Sequence, residues 1–245
     1  MAWLLIDNSN SRTKLRLGDE RGLLDWKEVL ITGEITHGSM EQLVSGLDFS
    51  GVVIASVVPE KGRVIVDSFN KRFPVHELTY RSPLGYGFDL EKPEQIGNDR
   101  LSNVLAMKAL YGAPGIAVDF GTAVTFSLLS NGGNFCGGVI APGMEAMTGY
   151  MNCKTAQLPK IEAGMLDSVI GKTTVDAMKS GAVVGQRGMV REILRELIAE
   201  IGGEVKVVAT GGGAEFTGAG MEEIDVIDPD LTIEGLRLLA ARVFE

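Results

Sequence analysis

The chain has 245 residues, 45% of them hydrophobic, enough for one large domain or two modest ones with developed cores. A formal charge of −9, with no dense Lys/Arg stripe, excludes a broad phosphate-backbone surface, so no nucleic-acid partner is expected. Two cysteines at 136 and 153 match neither a redox pair nor zinc spacing, and two histidines outside any HExxH setting leave little for a zinc site or a Ser-His-Asp triad. Carboxylates, Lys/Arg and backbone amides must therefore carry any chemistry.

The chain opens on an apolar run, Ala2 to Ile6, with no basic flank and too short for a signal peptide or a membrane span; a cytoplasmic protein without membrane attachment is expected. "WLLID" (3–7) reads as a strand. Next come a helix-like segment at 41–47, a strand at 51–58 and a helix at 61–73. A loop-like stretch at 79–98 leads into a helix at 98–110, and "GIAVDFG" (115–121) is again a strand. A long helix at 174–201, a strand over 205–213 and a helix at 232–244 complete the series. Strands alternating with helices predict an α/β protein.

An internal repeat stands out. "LLIDNSNSRTKL" lies over "IAVDFGTAVTFS" when Asp7 is set on Asp119, sharing an apolar run, the Asp, and a Thr six places later. Each copy is followed by an apolar strand ending in small residues, "IAS" (54–56) and "VAT" (208–210). A duplicated α/β domain is expected, with units 1–113 and 114–245. An Asp ending a buried strand, followed by small residues, aims a carboxylate and several backbone N–H groups at one place. Such a turn can cradle phosphate while the acid holds a cation or its water.

With the Gly-rich turn "ATGGGAEF" (209–216), this arrangement resembles the superfamily of acetate and sugar kinases, seventy-kilodalton heat-shock chaperones and actin. The resemblance implies two duplicated ribonuclease-H-like domains with a nucleotide cleft between them, and Gly211 to Gly213 against the adenosine. Further blocks, "GYGFDLEKPEQIGNDRLSN" (85–103), "GGVIAPGMEAM" (137–147), "KTAQLP" (154–159) and "IGKTTVDAMKSG" (170–181), look like type III pantothenate kinase. That family implies transfer of the ATP γ-phosphoryl group to pantothenate, the first step of coenzyme A biosynthesis, by a homodimer. Residue by residue, it implies Asp99 as general base and Tyr86, Gly97, Asn98, Asp99, Arg100 and Thr174 as substrate contacts. It implies ATP at Asp7, Asn8, Ser9, Asn10, Ser11, Arg12, Thr13, Lys14 and Thr122, with Mg²⁺ near Asp7 and a monovalent cation, K⁺ or NH₄⁺, at Asp119. Independently of the family, "GNDR" places an acid beside a base, suited to accepting a hydroxyl proton and gripping a carboxylate.

The chain departs from the family pattern in two places. The first turn usually reads Asp-x-Gly-Asn-Thr, but here Ser9 stands for the glycine and Ser11 for the threonine. Ser9 adds a Cβ and a hydroxyl where backbone approaches phosphate, which weakens nucleotide affinity unless the hydroxyl donates to the phosphate. In the second turn Phe126-Ser127 stands where an Asp is often found. Two other readings are therefore carried forward: a catalytically weak nucleotide-binding regulatory or accessory protein, and a kinase for another small hydroxy acid.

Overall fold

The computed structural model describes residues 1–162, 164–166 and 168–244. In chain order, β1 (Trp3–Asn8), β2 (Arg12–Gly18), β3 (Leu23–Ile31), α1 (His37–Leu43), β4 (Val52–Ser56), α2 (Pro59–Phe69), β5 (Val75–Glu77) and α3 (Asn98–Ala106) come first. They are followed by β6 (Gly115–Phe120), β7 (Ala123–Leu129), β8 (Phe135–Pro142), α4 (Met144–Lys154), α5 (Thr174–Ile201), β9 (Lys206–Thr210), β10 (Val226–Ile227) and α6 (Leu231–Val243). The chain forms two compact units, Met1–Tyr111 with Asp230–Glu245, and Gly112–Pro229. Their sheets run β3-β2-β1-β4-β5 and β10-β9-β6-β7-β8, the same order read from opposite ends. The α/β duplication read from two Asp turns is thus a whole-sheet duplication with ribonuclease-H-like topology in each unit.

In the first unit the period-2 pattern of β1 and β4 separates two faces. Leu4, Ile6, Val52 and Ile54 join Met40 of α1, Val44 at its C-cap, and Ile65 and Phe69 of α2 in one core. The opposite face, carrying Leu5, Asp7, Val53 and Ala55, lies under α3 and α6. The last helix, expected with residues 114–245, is here part of the first unit. Its packing explains why: Gly235 lies so close to α3 that a Cβ there would stand 2.1 Å from the Ser102 carbonyl oxygen. Ser102 Oγ donates to the Thr232 carbonyl at 2.7 Å, Thr232 Oγ1 donates to Asn103 Oδ1 at 2.7 Å, and Arg16 pairs with Asp230.

In the second unit Ile116, Val118, Phe120, Val207 and Ala209 pack against Val190 and Leu194 of α5. That leaves Ala117, Asp119, Val208 and Thr210 on the other sheet face. The long helix begins and ends where its pattern predicts, because Thr173 caps it and Gly202 terminates it with φ 70°. Among the described residues no helix is long and apolar enough to cross a membrane.

Candidate functional site

The first turn is held by a buried hydroxyl network. Asn8 Nδ2 donates to Thr13 Oγ1 at 2.8 Å, Thr13 Oγ1 lies 3.0 Å from Thr32 Oγ1, and Thr32 Oγ1 donates to the Ser9 carbonyl at 2.7 Å. Asn8 and Thr13 are fully buried, so their side chains shape the turn from within, while Asn10, Ser11 and Arg12 are exposed. Asp7 pairs in register with Lys14 across the β1–β2 ladder, which sets both side chains on one sheet face. Ser9 turns back and donates its hydroxyl to Asp7 Oδ1 at 3.0 Å.

Ser56 joins this turn to the "GNDR" segment. Its Oγ donates to Asn8 Oδ1 at 2.7 Å, and its carbonyl accepts from Asn98 Nδ2 at 3.1 Å. The Val57 N–H closes the link by donating to the Asn8 carbonyl at 3.0 Å. Neither Ser56 nor Thr32 figured among the expected site residues; the only signal for Ser56 was the small residue ending its strand.

Asp99 sits in the first turn of α3, after Gly97 at the N-cap and Asn98 at the first helical position, where an acid is favoured by the helix dipole. Its Oδ1 accepts the Arg100 N–H at 2.8 Å. Burial pushes the Asp99 carboxyl above the ordinary carboxylate range, outweighing that N–H and the Arg100 charge, which pull it down. Burial lowers Arg100 and Asp99 raises it, but a guanidinium stays charged at neutral pH. Tyr86 donates to the Leu101 carbonyl of α3 at 2.8 Å and packs edge-on against Phe88. Burial raises its phenol far above its usual value, so it is a neutral donor.

In the second unit, Asp119 is the next-to-last residue of β6, and Gly121–Thr122 form the exposed turn into β7. The Thr122 carbonyl accepts the Gly143 N–H at 3.1 Å. Gly211 has φ +88°, and a Cβ there would lie 2.3 Å from Asp119 Oδ1 and 2.8 Å from the Phe120 N, so glycine is required where the two strand ends meet. Phe126 is buried in the core on the opposite face. Thr174 is exposed, because Thr173 takes the capping role by accepting the Asp176 N–H at 3.1 Å. Thr174 lines a cavity of about 750 Å³ with Met147, Tyr150, Met151 and Leu158. Tyr86, Gly97, Asn98, Asp99, Arg100 and residues 7–14 therefore belong to the first unit, and Asp119, Thr122 and Thr174 to the second. No cluster of three or more His, Cys, Asp or Glu able to hold a metal occurs among the described residues.

Comparison with known proteins agrees with this architecture. The family profile described as type III pantothenate kinase matches residues 3–196. A type III pantothenate kinase of Akkermansia muciniphila is 44% identical over 240 residues, covering 98% of each chain. One of Methylacidiphilum infernorum is 40% identical, covering 96% of this chain and 87% of the relative. Among solved structures, the ethanolamine utilization protein EutJ of Carboxydothermus hydrogenoformans aligns with a TM-score of 0.61 at 14% identity, over 98% of this chain and 90% of that one. The activator of 2-hydroxyisocaproyl-CoA dehydratase from Clostridium difficile, with bound ADPNP, aligns with a TM-score of 0.50 at 13% identity, over 98% and 93%. The structural likenesses carry the fold alone; the family profile and the close relatives establish that the chain belongs to the type III pantothenate kinase family.

Proposed function

We propose that the chain transfers the γ-phosphoryl group of ATP to the hydroxyl of pantothenate, the entry reaction of coenzyme A biosynthesis, in the cytoplasm. The observation that carries the reading is Asp99: a carboxyl raised by burial, at a helix start, beside a charged Arg100. A base works best when its pKa moves toward the operating pH, and burial moves Asp99 in that direction. In the reaction Asp99 accepts the acceptor's hydroxyl proton. The oxygen so released forms the new bond to the γ-phosphorus, the bond from phosphorus to the β–γ bridging oxygen breaks, and ADP leaves.

Arg100 takes the substrate carboxylate with its fork of donors, and Tyr86, strapped to α3, shapes the acceptor side of the first unit; in the second unit Thr174, at its apolar cavity, is the substrate contact. The backbone of residues 9–12, with Lys14, receives the ATP phosphates. Thr122 assists from the second turn, and the bare backbone of Gly211 to Gly213 receives the adenosine. A single buried carboxylate at Asp7, with one oxygen engaged by Ser9, suits Mg²⁺ held through water rather than an all-protein cage. When bound, that ion neutralises charge on the β- and γ-phosphates. Asp119, lying over Gly211 beside the buried Thr210 hydroxyl, fits a monovalent cation, K⁺ or NH₄⁺.

A homodimer is part of the proposal. Tyr150, Val169 and Ile170 are between 66% and 78% exposed, an amount of bare apolar side chain that suits a covered face. The test is direct: purified protein with ATP, Mg²⁺, K⁺ and pantothenate is assayed for phosphopantothenate by mass spectrometry. Product formation with the wild type, and its loss in Asp99→Asn, supports the reading; no product overturns it.

A further inference from the structure

Thr210 is fully buried at the end of β9, and its Oγ1 has no hydrogen-bond partner among the described residues. A buried hydroxyl without a partner is a standing cost, so it calls for a ligand that completes it. Its position says which. Thr210 pairs in parallel register with Asp119, so the two side chains leave neighbouring strands on the same sheet face. Adjacent strands lie about 4.8 Å apart, close enough for one ion to touch an oxygen from each. Asp119 Oδ1 is fixed over Gly211, the residue that follows Thr210.

The duplication provides an internal comparison. In the first unit the register partner of Asp7 is Ala55, which has no oxygen, and Asp7 instead receives a hydroxyl from Ser9 within its own turn. In the second unit Gly121, which has no hydroxyl, stands at the place of Ser9, while the register partner of Asp119 is Thr210, which carries an oxygen. The two Asp turns therefore differ in the neighbouring strand: Asp7 has Ala55 as its register partner, and Asp119 has Thr210, whose buried hydroxyl is unengaged among the described residues.

We infer that Thr210 Oγ1 is a second protein ligand of a monovalent cation held by Asp119. One carboxylate and one neutral hydroxyl balance a single positive charge, and oxygen donors suit a hard cation. The assignment rests on the reading of Asp119 as a cation site and goes beyond it by naming the partner oxygen. A hydroxyl kept there without function is one that valine would replace with no loss.

The test compares wild type, Thr210→Val, Thr210→Ser and Asp119→Asn without nucleotide or pantothenate. Thermal unfolding is followed while KCl replaces choline chloride at constant ionic strength, and Tl⁺ binding is titrated by thallium NMR. Wild type and Thr210→Ser are expected to rise in unfolding temperature with KCl over the same concentration range. Thr210→Val, folded and at least as stable as wild type in choline chloride, should need about 10-fold more KCl and bind Tl⁺ correspondingly more weakly. A Thr210→Val variant that titrates like wild type overturns the inference, and so does a wild type that responds identically to KCl and choline chloride. Phosphopantothenate formation is measured separately, so failure of the kinase reading and failure of the Thr210 ligand are told apart.

Discussion

Ser9 Oγ donates to Asp7 Oδ1 at 3.0 Å, closing a two-residue loop inside the first turn. The single hydroxyl hydrogen is thereby spent on the carboxylate. What Ser9 presents outward is a Cβ and lone pairs, neither of which attracts an anionic phosphate oxygen. Replacing Ser9 by glycine should therefore lower the KM for ATP by about 3- to 10-fold with little change in kcat, roughly the effect of one hydrogen bond. A raised KM in steady-state kinetics would show instead that the hydroxyl serves the phosphate.

Asp99→Asn removes the proposed base and should reduce kcat/KM by about 10² to 10⁴. Its effect on folding has the opposite sign. The folded-state pKa of Asp99 is raised above its unfolded value, so the native protein prefers the protonated carboxyl. The stability this preference contributes is present in acid and is lost as pH rises through the folded pKa. At pH 7 to 8, asparagine, neutral at every pH, should leave the unfolding temperature equal to or above wild type. The gap should close at pH below about 3.9, the ordinary Asp value.

The pH profile follows from the same shift. The base must be ionised to act, so kcat/KM should fall on the acid side with an apparent pKa above the usual carboxylate value of about 3.9. An acid limb at or below that value would assign the titration to another group.

Ser56→Ala tests the Asn8 side of the bridge between the first Asp turn and α3. Losing the donor to buried Asn8 Oδ1 should cost about 1 to 3 kcal/mol of stability, read from denaturant unfolding. Asn98 keeps its bond to the carbonyl of residue 56, so only Asn8 is freed, and its rotation should lower kcat by about 10-fold, more than it alters the KM for pantothenate.

Gly235→Ala probes how firmly the C-terminal helix seats α3. A Cβ 2.1 Å from the Ser102 carbonyl oxygen forces the helices apart, and overpacking of this kind costs about 1 to 3 kcal/mol. The same variant should lose activity in the remaining folded fraction, because α3 carries Asp99 and Arg100.

Much of the fold was legible in the chain itself. The repeated Asp turns, the strands ending in "IAS" and "VAT" and the 28-residue helix at 174–201 all followed from apolar periodicity and small turn residues. These are local signals, carried by neighbours in sequence. Strands β2, β3, β7 and β8 were not singled out, since their alternating or half-exposed patterns gain meaning only from the ladders they join.

What the sequence determined by itself was which residues are chemically able to act: Asp7, Asp99, Arg100 and Asp119. Tertiary structure alone decided their surroundings. It returned α6 to the first unit, where helix packing buries its apolar face against α3. It committed the Ser9 hydroxyl to Asp7, drew Ser56 between the two motifs, and set Thr210 beside Asp119. Each of these depends on strand register or on contacts between segments far apart in the chain. Register is fixed by the packing of whole sheets, so no local pattern announces it.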